Sequence, residues 1–70
     1  MAIIRTFYAI RLDSIDRAWG TEWSWTIHRE HDGIERQVAE SQREYDKACF
    51  ALADAERCMA NHKAADLVVA

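Results

Sequence analysis

Apolar and polar residues alternate from the start of the chain. Residues 3–12, Ile-Ile-Arg-Thr-Phe-Tyr-Ala-Ile-Arg-Leu, are rich in β-branched and aromatic side chains. A strand here places Ile4, Thr6, Tyr8, Ile10 and Leu12 on one face, and Ile3, Arg5, Phe7, Ala9 and Arg11 on the other. The first face is the better core candidate. Residues 13–22 break the alternation; Asp13 or Ser14 at its start and Gly20 near its end predict a loop with one short helical turn. Trp19, in that loop, is expected to close one end of the core, with an exposed contact as the alternative. Residues 23–30 alternate again, with Trp23, Trp25 and Ile27 inward and Ser24, Thr26 and His28 outward.

Asp32-Gly33 then predicts a tight hairpin, because both residue types accept positive φ. It leads into a third strand over 34–40, with Ile34 and Val38 on one face. A 4-3 spacing through Ile34, Val38, Ser41, Tyr45, Ala48, Leu52, Ala55 and Met59 leaves one long helix from Gly33 as the alternative. The Asp-Gly turn and a capping-box pattern at Ser41-Gln-Arg-Glu44 favour the strand. From Gln42 to about His62 the chain lacks Gly and Pro and is full of good helix formers. At 100° per residue, Tyr45, Ala48, Cys49, Leu52, Ala55 and Met59 share one side, the face expected on the sheet. The apolar residues 65–70 either extend the helix or fold back. The sequence thus predicts an α+β domain, a β-β-β-α chain in which a three-stranded antiparallel sheet packs on one C-terminal helix.

Seventy residues make one domain, 1–70, near the lower limit for autonomous folding. Half are hydrophobic and seven are aromatic, a globular composition. No apolar run approaches the roughly 20 residues that span a bilayer, and the N-terminus does not have the build of a secretory signal. A cytoplasmic setting is expected. Net charge is −3, divided as 4 basic and 5 acidic residues before Gly33 and 5 and 7 after it. That balance disfavours a nucleic-acid partner, which calls for a surplus of Lys and Arg. Cys49 and Cys58, nine residues apart on one helix, would be separated by roughly 13 Å of rise. That is too far for a disulfide, so two free thiols are expected.

Metal and catalytic chemistry find little support. Cys58 and His62 are helix neighbours, but no second pair completes a four-ligand site, and His28 and His31 flank a turn. With only Gly20 and Gly33, no Gly-rich phosphate loop exists. No nucleophile has an adjacent base, and so small a domain has little room for a cleft. Neither an enzyme nor a cofactor is expected.

Phe50 stands out. It falls opposite the expected apolar face, among Arg43, Asp46, Lys47, Asp54 and Arg57, as an interface anchor with a charged rim would. Cover by the C-terminal tail, or one isolated exposed side chain, is the plain alternative. The other side of the sheet, with Arg5, Phe7 and Arg11 near Thr26 and His28, could stack single-strand bases. It could equally be solvated or covered by a second copy.

The run Trp23-Ser-Trp-Thr-Ile-His-Arg, then Asp32-Gly33, Ser41 and an Ala-rich helix through Ala55-Glu-Arg, resembles small phage and prophage proteins, in particular anti-CRISPR proteins. The likeness lies in size, compactness and missing catalytic motifs over residues 23–57, and it transfers no functional residues. It implies a non-enzymatic inhibitor that contacts a host protein or complex, such as a Cas effector, by steric occlusion. A nucleic-acid-binding or regulatory protein and a structural homo-oligomer are the alternatives.

Overall fold

The computed structural model describes residues 6–68, with the side chains of 67 and 68 excepted. Strand β1 (Thr6–Arg17), strand β2 (Gly20–His31), strand β3 (Ile34–Glu40) and helix α1 (Ala48–Val68) follow in order. The three strands form one antiparallel sheet in the order β1-β2-β3, with α1 across one face. This is the expected α+β arrangement.

The first hairpin differs from expectation. No helical turn interrupts residues 13–22: β1 runs on to Arg17, Ala18-Trp19 forms the turn, and β2 begins at Gly20. The pairing stays continuous from Thr6↔His31 to Arg17↔Gly20. Polar residues in 13–17 and 20–22 imitate a loop in sequence, yet a strand at the end of a one-sided sheet tolerates them. Ladder hydrogen bonds are backbone bonds and do not require apolar side chains. Gly20 takes φ 135°, with open space where a Cβ would sit, so backbone conformation alone calls for glycine there. In the second hairpin, Asp32 and Gly33 both have positive φ (54° and 82°), as predicted for Asp-Gly between strands.

Tyr8, Ile10 and Leu12 face the helix together with Trp23, Trp25 and Ile27, in the predicted phase. On β3 the register shifts beside Ile27 and His28, which pair with Ala39 and Gln37. Val38 is left as a bulge, and both Val38 and Ala39 pack on the core. Ile34 shares this face but is exposed.

The helix begins later than predicted, and its core face is turned, so that Ala55 and Met59 of the predicted face meet the core while Cys49 and Leu52 do not. Ser41–Tyr45 is not its first turn. Its backbone instead completes the free edge of β2 beyond the end of β3. Ser41 N–H donates to the Trp25 carbonyl (2.9 Å), and Trp23 and Tyr45 exchange two N–H···O bonds (2.6 and 2.7 Å). The Ser41 hydroxyl accepts from Trp25 N–H (3.3 Å) rather than capping a helix, and Glu44 pairs with Arg17 (3.0 Å). Those backbone groups cannot serve a helix as well.

Once in place, α1 buries Ala51 and Ala55 against Trp25 and Ile27, with Cys58 and Met59 beside them. Cys49, expected inward, is exposed, and Leu52 remains 37% exposed. Two alanines allow close approach to the broad Trp25 ring, which the predicted face would have blocked. Both cysteines are free. Of the tail, residues 65–68 extend the helix, while 69 and 70 lie outside the described residues. Among the described residues, no helix is long and apolar enough to cross a membrane.

Candidate functional site

The hairpin turn of β1–β2, the segment 41–47 and the start of α1 converge at one end of the sheet. Two open grooves meet there, with the Tyr45 ring common to both. Gln42, Arg43, Tyr45, Phe50, Ala53, Asp54 and Arg57 line the first. Trp19, Gly20, Thr21, Glu22, Glu44, Tyr45 and Asp46 line the second. Phe50 is 51% exposed, uncovered by the helical tail, and so lies on the charged surface where the sequence placed it. Arg43, Asp54 and Arg57 share its groove. Asp46 instead belongs to the neighbouring one.

Asp54 is not an idle rim charge. One of its oxygens accepts from the Tyr45 hydroxyl (2.6 Å) and from Trp25 Nε1 (3.1 Å), while the other meets the Arg57 guanidinium. It thereby joins α1, the preceding segment and β2 through a carboxylate only 20% exposed. The Tyr45 hydrogen bond, with those from Trp25 and Arg57 after it, holds the Asp54 carboxyl below its ordinary pKa. The same bond raises the pKa of Tyr45.

Trp19 does not close the core. It is 75% exposed, with its indole N–H donating to Glu22 (2.7 Å). A two-residue turn gives so large a ring nothing to pack beneath. Cations lie over three aromatic rings of this end: Arg43 over Tyr45 (4.7 Å), Lys47 over Phe50 (5.6 Å) and Arg17 over Trp19 (5.8 Å). The sequence signalled Phe50 through its helical phase. It could not signal Trp19 and Tyr45, whose grouping depends on the continued hairpin and on the β-bridge at Trp23.

A second polar cluster ties the far end of α1 to the sheet. Arg29 reaches Asp66 (3.2 and 3.3 Å) and the Tyr8 hydroxyl (3.2 Å), and that hydroxyl also donates to Asp66. The hydrogen bond from Tyr8, followed by that from Arg29, depresses the Asp66 pKa. Burial, followed by the bond to Asp66, raises that of Tyr8.

The helix-free face presents Phe7, 56% exposed, and Arg11, while Arg5 lies outside the described residues. Arg11 pairs across the strands with Thr26 and is engaged by Asp13 (3.2 Å); Phe7 sits opposite Glu30. His28 contacts Glu35 (3.2 Å) and Thr26 (3.1 Å). By register, Asp13, Glu22, Glu30, Glu35 and Glu40 share this face, an arrangement that repels a phosphate backbone. Cys58 and His62 are both half-buried, and among the described residues no group of three or more His, Cys, Asp or Glu is placed to hold a metal ion.

No family model matches this chain, and no similar protein was found among curated proteins or solved structures.

Proposed function

We propose that this chain is a small, non-enzymatic protein-binding module that docks through its aromatic end. The observation carrying this reading is the set of cation-covered aromatic rings, Trp19, Tyr45 and Phe50, around two adjoining open grooves. Exposed aromatics beside arginines are what hot spots are made of: large apolar area with little side-chain entropy to lose, and a guanidinium that can hold a carboxylate. The complementary partner surface is acidic around an apolar recess, with Phe50 and Trp19 as anchors. Arg43, Arg57 and Lys47 orient it. Asp54 holds the platform together, and Asp46 edges the second groove.

The resemblance to anti-CRISPR proteins gives this reading a specific form: inhibition of a bacterial defence complex by occlusion. Affinity capture on the tagged protein from nuclease-treated bacterial lysate carrying defence systems tests it. One stoichiometric host complex, lost on Phe50→Ala and on Trp19→Ala with circular dichroism unchanged, is the expected result. A captured complex indifferent to both substitutions would remove this surface from the account. Single-strand nucleic-acid binding on the other face is disfavoured by the five carboxylates there, and the absence of a salt-dependent shift with oligonucleotides is expected.

A further inference from the structure

Strand β1 forms one edge of the sheet along its full 12 residues, with no described segment on its outer side. It contains no Gly or Pro, and no irregularity interrupts its pairing with β2. The opposite edge, β3, is shorter at 7 residues and is bulged at Val38. Long, regular edges recruit further strands unless something blocks them. The blocking devices available on β1 are charges: Arg11, Asp13, Asp16 and Arg17.

We infer that β1 pairs antiparallel with β1 of a second copy about a twofold axis at Leu12, joining two sheets into one of six strands. In an antiparallel pair, residues directly opposite must both aim their backbone groups at each other or both away. Copies of β1 therefore pair only even with even and odd with odd, which also keeps both helices on the same face. Two such registers use nearly the whole strand. Centring on Arg11 sets Arg11 against its own copy. Centring on Leu12 sets Arg11 against Asp13 twice, Phe7 against Arg17, Ala9 against Ile15, Tyr8 against Asp16, and Leu12 against itself. Of these charges, Arg11 and Asp13 become two complementary pairs in the second register, whereas in the first Arg11 meets the like charge of its own copy.

The helix supplies an independent match. Residues Asp54, Arg57, Cys58 and Asn61 flank α1 toward β3, lining a groove with Val38 and Ala39. At 100° per residue, Leu52, Glu56 and Lys63 then occupy the flank toward β1. Trp25 pairs with Leu12 and bonds Asp54, so this turn of the helix lies at the level of the twofold. Leu52, 37% exposed, is thus the large apolar side chain placed to meet its own copy as the two helices come alongside.

Sedimentation equilibrium of the full chain, under reductant because Cys49 is exposed, tests the pairing. The wild type is expected to pass from one copy of the 8.1 kDa chain to two as concentration rises. Arg11→Asp and Asp13→Arg each place like charges opposite twice and should weaken the dimer about tenfold or more. The double swap R11D/D13R restores opposite signs and should restore the dimer. Leu52→Arg, on the helix and away from the strand ladder, should also weaken it, which keeps the test decisive if a strand variant fails to fold. A wild type that stays monomeric throughout overturns the inference. So does a dimer that none of the folded single variants weakens, or a folded double swap that behaves no better than the single swaps.

Discussion

Replacing Asp54 with alanine removes the acceptor that holds helix, sheet and the preceding segment together. Trp25 Nε1 (3.1 Å) and the Tyr45 hydroxyl (2.6 Å) both lose their partner in one step. A hydrogen bond to a charged group contributes about 1.5–3 kcal/mol. The carboxylate is 20% exposed, so water replaces part of what is lost, and about 2–3 kcal/mol is expected for the pair. That is a large share of the roughly 4–10 kcal/mol available to a domain of this length, equivalent to about 10–20 °C in Tm. Asp54→Asn distinguishes the hydrogen bonds from the charge. Both donors meet the same oxygen, which the amide carbonyl can supply, while its NH2 group is left facing Arg57. A loss nearer 1 kcal/mol follows. Urea unfolding followed by tryptophan fluorescence, at one protein concentration, reads both variants. If Asp54→Ala lies within about 0.5 kcal/mol of wild type, or if Asn damages the fold as much as Ala, the anchoring role assigned to this carboxylate is wrong.

Acid should weaken the fold through the two anchoring carboxylates. Asp54 and Asp66 have folded pKa values below the ordinary carboxylate value, so they bind protons more readily when unfolded. Their stabilisation is complete above the unfolded value and fades as pH falls below about 5 toward the folded values. Thermal unfolding between pH 7 and pH 3 should show Tm declining over the acid part, and a flat profile would contradict the assignment. Arg29→Ala should loosen the last turns of α1 while sparing the sheet, read as faster amide exchange around His62–Asp66 than across β2. Gly20→Ala should destabilise by about 1 kcal/mol through its φ of 135° alone, since a methyl group there meets nothing, and equilibrium unfolding measures it. Phe50→Ala should leave Tm within a few degrees of wild type but weaken partner binding by at least about 1–2 kcal/mol, measured by titration calorimetry. A large fall in Tm would instead place the ring in the core.

What could be read from the sequence divides along physical lines. The three strands and the Asp32-Gly33 hairpin were legible because alternation and turn conformation are local properties. The predicted faces of β1 and β2 followed from the same period of two. The extension of the first hairpin through Arg17 and Gly20 was hidden, because polar residues near a sheet end read as loop while their backbones pair regardless. The onset of α1 was hidden for a different reason. Ser41 and Glu44 form a convincing cap in isolation, but Trp23 and Trp25 offer the segment a free strand edge 16 to 22 residues back in the chain. The helix phase was missed because apolar residues lie all round α1, so periodicity does not choose a face; Ala51 and Ala55 win by being small. At the candidate site, Phe50 could be picked out by its position among charges, whereas Trp19 joined it only through that unforeseen hairpin.

Asp54 and Asp66, twelve residues apart along α1, act on the helix as two pins in a keyed shaft. Each admits a single angular setting, one fixed by Trp25 and Tyr45 and the other by Arg29 and Tyr8. Directional bonds at both ends thus hold the rotation that the close packing of Ala51 and Ala55 on Trp25 and Ile27 selects between them. Enlarging Ala51 or Ala55 would therefore set packing against both pins at once, and a helix that turned to relieve it would carry Phe50 away from its groove.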